Sequence, residues 1–261
     1  MGRLRSFFGL FKFSRSVFFL EVILGFFIAS GFFFSRWDFF LLFMVFISFS
    51  LLVYPGLYTI NDILDLDSDK KHPEKRKRPI ASGAISIRLA VVFSIFAISV
   101  GLVMGYLISM TLFFMELLFV LVNVVYSFRM KHVRFFELVF NGLTHPLRFY
   151  LGVVLAGGSG FIVITSSMLL VSMMFSTLKR ENEIVKKHTA FRETLKRYVI
   201  SELYLVYALV FVLLWLCFFY VTDSSKIFVL VEILIFIFAV GGYHFNGFSR
   251  RLLQKLMDPL L

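Results

Sequence analysis

The hydrophobic residues of the chain form long runs that are separated by shorter polar stretches. A helix needs on the order of 20 mostly apolar residues to cross about 30 Å of hydrocarbon. Eight windows approach that length, approximately at residues 17–34, 39–58, 89–108, 112–128, 135–156, 161–178, 199–221 and 227–245. The pattern predicts an all-α fold, a polytopic transmembrane helical bundle of eight spans that makes up a single integral membrane domain over residues 1–261.

The composition supports lipid as the solvent of this chain. Of its 261 residues, 59% are hydrophobic and 16% are charged, and 37 are phenylalanines. The mean hydropathy is +0.89, whereas an average soluble domain is about half apolar and a quarter charged. The single cysteine, Cys217, excludes a disulfide framework or a multi-cysteine metal site within the chain.

The basic residues predict the orientation in the membrane. Of the 27 lysines and arginines, 24 lie in five segments, at residues 1–16, 61–88, 127–134, 179–197 and 248–261. An eight-span topology puts all five on one side, so the positive-inside rule predicts that both termini are cytoplasmic and that the protein lies in the cell membrane, inner or plasma. Anionic membrane lipids account for the net charge of +11, and no nucleic acid partner is expected.

The two long polar loops, near residues 61–88 and 179–198, lie on that same side. The other loops are short, so we expect the active site at the cytoplasmic face. The basic N-terminus, residues 1–16, and a tail at 248–261 that has the pattern of an interfacial amphipathic helix also belong to this face.

The first polar loop begins with regularly spaced acids. If the second span continues as a helix beyond the membrane, Asp62, Asp65 and Asp69 recur at i, i+3 and i+7 and share one face. Carboxylates that converge in this way repel one another unless a cation lies between them, and oxygen ligands suit Mg²⁺. The spacing predicts a magnesium site of these three aspartates with Asn61 nearby. An ordinary solvated, charged connector is the alternative.

Basic residues follow the acids within the same loop. Pro73 is expected to end the helix, and Lys75, Arg76 and Arg78 then supply charges that suit phosphate. An acidic stretch followed by a basic turn indicates a diphosphate site.

These residues resemble a known family. The pattern Asn61-Asp62-x-x-Asp65-x-x-x-Asp69, followed by Arg78-Pro79 and Gly83, is similar to the first aspartate-rich motif of the UbiA superfamily of intramembrane prenyltransferases. The stretch from His72 to Gly83 resembles one branch more closely, the decaprenyl-phosphate phosphoribosyltransferases. The resemblance implies Mg²⁺, a diphosphate-containing donor and a polyprenyl lipid substrate. It also implies nine spans, one more than the windows predict.

The second polar loop departs from the usual pattern of that superfamily. Typical members carry a second aspartate-rich motif after the sixth span, but residues 179–183 read Lys-Arg-Glu-Asn-Glu. Lys179, Arg180 and Glu183 resemble the corresponding segment of the phosphoribosyl branch, and the resemblance makes them candidates for the acceptor or a second site. From the residues alone, a basic helix end that pairs with its own acid is an equal alternative.

Two further positions gain a role from the resemblance. Tyr126 and Lys131 are similar to the family's basic turn between the fourth and fifth spans, so Lys131 is a candidate phosphate ligand. An isolated lysine at a membrane boundary is otherwise a topology anchor.

A charged residue lies inside the fifth window. Arg148 is close in sequence to His145, and a charge within a span normally faces a cavity or pairs with an acid. Arg148 is therefore a candidate acceptor-side residue. A structural pair with a membrane glutamate is the competing explanation, with five glutamates as possible partners: Glu21, Glu116, Glu137, Glu202 and Glu232.

The leading hypothesis is a Mg²⁺-dependent membrane transferase that moves 5-phosphoribose from phosphoribosyl diphosphate to a polyprenyl phosphate. One alternative is transfer of a polyprenyl group from its diphosphate to an aromatic or lipid acceptor. A second alternative is a transporter whose acidic loop binds cations, which predicts helices interrupted at mid-membrane.

Overall fold

A computed structural model describes residues 7–185 and 193–257, and over those residues it is helical without a β-strand. Parts of the predicted basic N-terminus, second polar loop and amphipathic tail lie outside the described residues. The α-helices in chain order are α1 Phe19–Ala29, α2 Arg36–Leu64, α3 Leu66–Lys71, α4 Ile87–Ile108, α5 Met110–Phe128, α6 Phe136–Leu155, α7 Ile162–Val185, α8 Ile200–Tyr220, α9 Asp223–Phe245 and α10 Gly247–Met257.

Seven of these helices are long and apolar enough to cross a membrane, namely α2 and α4 to α9. Each coincides with one of the last seven predicted windows, which are thereby confirmed as helices. Helix α2 contains a π-helical segment, Phe46–Val53, in its middle. Helix α10 falls within the predicted amphipathic tail.

The first predicted span differs from the others. Helix α1 has only 11 residues, which is a length of about 16 Å at 1.5 Å per residue. Short 3-10 turns precede it, at Gly9–Phe11 and Phe13–Phe18. Gly31 and Phe32 follow it with φ values of 64° and 65°, and left-handed residues cannot continue a right-handed helix. An eighth span therefore stays a prediction.

Serine caps set the beginning of several helices. Ser109 alone separates α4 from α5, and its hydroxyl accepts a hydrogen bond from the Leu112 amide at 3.0 Å. The extended backbone of Ser109, with φ −163° and ψ 148°, ends one helix, and its side chain satisfies an amide at the start of the next. A single residue thus reverses the chain between two spans.

The chain forms two compact units. The first comprises Met1–Arg129 and Leu147–Ser159, and the second comprises Met130–Pro146 and Gly160–Leu261. In the first unit, α2 packs against α4 and α5, and the rings of Phe49 and Phe119 meet edge to face at 4.8 Å. In the second unit, α7 packs against α8 and α9, and α10 packs on α9.

Two glycines allow a close helix crossing in the first unit. A Cβ atom on Gly25 of α1 would overlap the carbonyl group of Phe149 in α6, and one on Gly152 of α6 would overlap the carbonyl oxygen of Val22 in α1. The obstructing atoms belong to the backbone, so neither helix can relieve the clash by a change of rotamer. The contact between α1 and α6 therefore depends on both glycines.

We expect the Gly25→Ala substitution to lower the free energy of unfolding by about 1–3 kcal/mol, because the added methyl group overpacks this crossing. The Gly241→Ala variant is the control, since a Cβ atom there meets nothing within 4 Å. Thermal unfolding of the purified proteins in detergent measures both effects. Equal transition temperatures for Gly25→Ala and the wild type would contradict the crossing as described.

Candidate active site

The acidic segment at the end of α2 is not one continuous helix. Helix α2 ends at Leu64 and α3 begins at Leu66, and Asp65 between them has φ −91° and ψ 3°. The Asn61 side-chain amide donates a hydrogen bond to the Asp65 carboxylate at 2.9 Å. Short polar side chains that bond locally favour helix ends. The assumption that the helix continues unbroken through Asp69 was therefore wrong, whereas the end of α3 at Lys71, before Pro73, agrees with the prediction.

Asp62 and Asp69 nevertheless come together through a shared partner. The two side chains are each 2% exposed, and Arg78 donates from Nη1 to Asp62 Oδ1 at 2.9 Å and to Asp69 Oδ2 at 2.8 Å. Arg78 therefore joins the ends of α2 and α3 from the loop that follows them. We call these three residues the Arg78 cluster.

A fourth charged group reaches the Arg78 cluster from the N-terminal segment. The ammonium group of Lys12 lies 2.7 Å from Asp62 Oδ2. Each oxygen of Asp62 thus accepts from a different cation. Sequence reasoning used Lys12 only as one of the residues that set the orientation, and no pattern in the sequence indicates a contact across 50 positions.

Burial shifts the pKa of one member of the cluster, Asp69. Withdrawal from water raises the pKa of Asp69 above its usual value, and the nearby positive charges of Arg78 and Lys75 partly oppose this shift. A folded-state pKa above the unfolded one means that ionising Asp69 costs stability as the pH rises through that interval. The ionised form of Asp69 is therefore stabilised by the positive charges of Arg78 and Lys75.

The other predicted donor-binding residues of this loop lie in a short turn after α3. Lys75 and Arg76 lie in a 3-10 turn, Lys75–Lys77, where Arg76 is exposed and Lys75 is half-buried. The His72 ring shapes the turn, because its Nδ1 accepts hydrogen bonds from the amides of Glu74 and Lys75 at 3.2 and 3.3 Å.

The donor chemistry of the acidic segment fits a magnesium ion. Among the described residues, no group of three or more His, Cys, Asp or Glu side chains is arranged to hold a metal. Mg²⁺ is commonly held by one or two carboxylates together with waters and substrate phosphates. Two carboxylates, buried together and already compensated by cations, meet that requirement, with the side chains of Asn61 and Asp65 adjoining them.

The second polar loop begins inside α7, which runs to Val185. Arg180 is 3% exposed, and its Nε lies 3.1 Å from Glu137 Oε1 while its Nη1 lies 2.5 Å from Glu183 Oε2. The alternative of a basic helix end that pairs with its own acid therefore describes Arg180 and Glu183. Glu137, which sequence reasoning considered only as a partner for Arg148, completes the group.

Two buried residues beside Arg180 were missed. Glu181 and Asn182 are 3% and 4% exposed. The Tyr207 hydroxyl of α8 donates to Glu181 at 2.8 Å, and the Gln254 side chain of α10 donates to Asn182 at 3.0 Å. The sequence offered one signal, which is that the run at 179–183 is polar throughout.

A surface ion pair holds the segment before α8 in place. Arg134 donates to both carboxylate oxygens of Glu202 at 3.0 Å and to the carbonyl of Arg197 at 2.6 Å. The Tyr198 hydroxyl accepts from the Phe135 amide at 2.9 Å. Burial and then the charge of Glu137 raise the pKa of Tyr198, so this residue stays a neutral phenol that links the turn before α6 to the turn before α8.

The charged residue of the fifth predicted span has a structural partner. Arg148 is 3% exposed, and its Nε lies 2.6 Å from Glu21 Oε2. Its guanidinium also faces the rings of Phe18 and Tyr54 at 4.9 and 5.7 Å. These contacts agree with the competing explanation, a structural ion pair between Arg148 and a membrane glutamate. A role for Arg148 on the acceptor side stays a prediction.

Three predicted site residues remain, which are Tyr126, Lys131 and Lys179. Tyr126 is half-buried near the end of α5 in the first unit, and Lys131 is buried in a 3-10 turn, Met130–His132, of the second unit. Lys179 is half-buried on α7, one position before Arg180. Their assignments to donor or acceptor stay predictions.

Comparison with known proteins gives one family. The model of the UbiA prenyltransferase family matches residues 18–252. The chain is 27% identical over 183 residues to the decaprenyl-phosphate phosphoribosyltransferase of Mycobacterium tuberculosis, an alignment that covers 67% of this chain and 59% of that protein. It is 30% identical over 149 residues to the digeranylgeranylglyceryl phosphate synthase of Sulfolobus acidocaldarius, covering 56% and 52%. The chain thus spans less than two thirds of the length of either relative.

The fold is shared with a solved structure. A UbiA homolog from Archaeoglobus fulgidus bound to GPP and Mg²⁺ superposes with a TM-score of 0.71 at 19% identity, over 95% of this chain and 93% of that one. This likeness concerns the helical architecture.

Removal of the Arg78 side chain should destabilise the folded protein. We expect Arg78→Ala to lower the free energy of unfolding by about 3 kcal/mol, because it leaves two buried carboxylates without their shared cation. The matched change is Lys77→Ala, which removes an exposed pair with Glu74 and should cost less than about 1 kcal/mol. Chemical denaturation in detergent micelles compares them, and losses of equal size would show that the Arg78 cluster does not stabilise the fold.

Proposed function

Because this multi-pass membrane protein belongs to the UbiA prenyltransferase family, we propose that it transfers 5-phosphoribose from phosphoribosyl diphosphate to a polyprenyl phosphate. The bond between C1 of the ribose and the diphosphate breaks, a phosphate oxygen of the lipid forms the new bond to C1, and diphosphate leaves. The acceptor phosphate is already ionised near neutral pH, so the reaction needs no strong base.

The Arg78 cluster is the donor side of the proposed site. Asp62 and Asp69, with Asn61 and Asp65 beside them, would hold Mg²⁺, which neutralises charge on the leaving diphosphate. The guanidinium of Arg78 and the basic turn with Lys75 and Arg76 add fixed positive charge in the same loop. Positive charges that are already in place where negative charge develops on the diphosphate lower the barrier to its departure.

One observation carries the choice of phosphoribosyl over prenyl donor. Residues 179–183 contain no aspartate, and the arginine of this run is buried between Glu137 and Glu183. An internally paired arginine occupies the place where a typical two-motif prenyltransferase has a second acidic motif. This departure, together with the resemblance of His72 to Gly83 to the phosphoribosyl branch, supports a donor that needs one metal-binding acidic segment.

Basic residues outside the Arg78 cluster form the acceptor side of the proposed site. Lys131 and Lys179 are the basic residues that we assign to the lipid phosphate, with Tyr126 and Arg148 as further candidates. The polyprenyl chain would stay in the hydrocarbon, where it loses no apolar burial. The distribution of lysine and arginine supports a cytoplasmic position for both polar loops and both termini.

A prenyl transfer is the second candidate. The similarity to a digeranylgeranylglyceryl phosphate synthase, at 30% identity over 149 residues, favours it. Such an enzyme would use the same acidic segment to hold a polyprenyl diphosphate.

A paired assay separates the two donors. Purified protein with Mg²⁺ receives either labelled phosphoribosyl diphosphate and decaprenyl or undecaprenyl phosphate, or a labelled prenyl diphosphate with an aromatic acid or a glyceryl lipid acceptor. We expect label to enter the lipid fraction from phosphoribosyl diphosphate alone. Label that is transferred only from the prenyl diphosphate would reject the phosphoribosyl reading.

Two aspartates of the same helix give the matched variants for that assay. Asp69→Asn should reduce the transfer rate by at least about 100-fold, since a neutral amide is a poor ligand for Mg²⁺ and a poor partner for Arg78. Asp67→Asn removes the same charge from an exposed position of α3 and should retain most of the rate. Equal rates in the two variants would contradict the assignment of Asp69.

A further inference from the structure

The N-terminal segment is fixed to the loop that carries the Arg78 cluster. Phe7 and Phe11 meet the ring of Phe93 in α4 at 5.7 and 5.3 Å, and Leu10 is fully buried in a cluster with Ile80. Aromatic pairs and buried aliphatic side chains of this kind anchor a segment firmly. The residues just before Lys12 therefore have a defined place against the first polar loop.

Lys12 departs from an ordinary backbone conformation. It lies between the two 3-10 turns with φ 49° and ψ 42°, a left-handed conformation that a residue with a Cβ atom rarely adopts. Strain of this kind persists where the surrounding structure imposes it and is concentrated at functional positions. Here the turn directs the side chain to Asp62, and that side chain is 16% exposed.

The contact places a protein cation on a proposed metal ligand. Lys12 pairs with Asp62 Oδ2, while Arg78 pairs with Asp62 Oδ1 and with Asp69. A divalent ion that is ligated by Asp62 competes with these cations, because its charge repels both of them at this short distance. Lys12 is the one that can leave, because it holds a single carboxylate oxygen by a point charge on a flexible stem, whereas Arg78 bridges two acids.

We infer that Lys12 is a built-in counter-cation, which occupies Asp62 in the absence of metal and is displaced when a divalent ion binds. This inference rests on the proposed function only in assigning a metal to the acidic segment, and it is the same for either donor. Metal binding at Asp62 would thereby release a contact of the N-terminal segment, the ion pair of Lys12. The displaced ammonium group stays tethered beside the site, where it is available to the phosphate oxygens of the donor.

Magnesium affinity tests the competition. Titration calorimetry of the full-length protein with Mg²⁺ should give a dissociation constant about tenfold lower for Lys12→Met than for the wild type, the order expected when one competing charge-assisted hydrogen bond is removed. Lys12→Arg keeps a cation at this position and should stay close to the wild type. Lys71→Met removes an exposed charge from the same region, and its effect should be less than about twofold because solvent screens it.

The wild-type protein gives a second readout that does not depend on any variant. Labelling with an amine-reactive reagent, followed by mass spectrometry, should show that Mg²⁺ increases the reactivity of Lys12 and leaves that of Lys71 unchanged. A Lys12→Met affinity equal to or weaker than that of the wild type, or a Lys12 reactivity that does not respond to Mg²⁺, would overturn the inference. Transfer from a prenyl donor would reject the phosphoribosyl proposal and leave this test unaffected.

Discussion

The bonds from Arg78 to two buried carboxylates determine how the polar end of the first unit is built. Asp62 lies in the last turn of one helix and Asp69 lies on the next, with Asp65 at the break between the helices. The side chains of Asp62 and Asp69 are each 2% exposed. Removing a carboxylate from water costs several kcal/mol unless a cation and good hydrogen bonds compensate for it. Arg78, which returns from the following loop, and Lys12, which arrives from the N-terminal segment, therefore fix the paths of both segments around the acids.

The same rule applies at two further buried charges. Arg180 lies between Glu137 and Glu183 in the second unit, and Arg148 pairs with Glu21 in the first. The Arg78 cluster and the Arg180 site differ in how their charged groups are arranged. At the Arg78 cluster the buried groups are acids with partly exposed cations around them, which suits the replacement of a cation by a metal. At Arg180 a buried cation lies between the fully buried carboxylate of Glu137 and the partly exposed carboxylate of Glu183, so its charge is compensated within the protein.

The sequence predicted the long helices well and the charge partners poorly. Hydrophobic length is a local property, so the windows from residue 39 to 245 matched helices, with ends that differ by up to seven residues. The single helix face that the spacing implied for Asp62 and Asp69 is interrupted at Asp65, and Arg78 brings these two acids together instead. Helix α1 was overestimated, because apolar residues continue past Ala29 while Gly31 and Phe32 turn left-handed. The break at Asp65 coincides with two local side-chain hydrogen bonds, from Asn61 to the Asp65 carboxylate and from Ser68 to the Asp65 carbonyl oxygen. Lys12 and Glu137 act over 50 and 43 positions, and no local pattern encodes such distances.

We propose that the acidic segment, residues 61–69, binds phosphoribosyl diphosphate as its magnesium complex. The most direct measurement is titration calorimetry of phosphoribosyl diphosphate into the purified wild-type protein, with and without Mg²⁺ and without any lipid acceptor. We expect saturable binding that requires Mg²⁺, is lost in Asp69→Asn and is retained in Asp67→Asn. Binding that persists without Mg²⁺, or that is undiminished in Asp69→Asn, would contradict it.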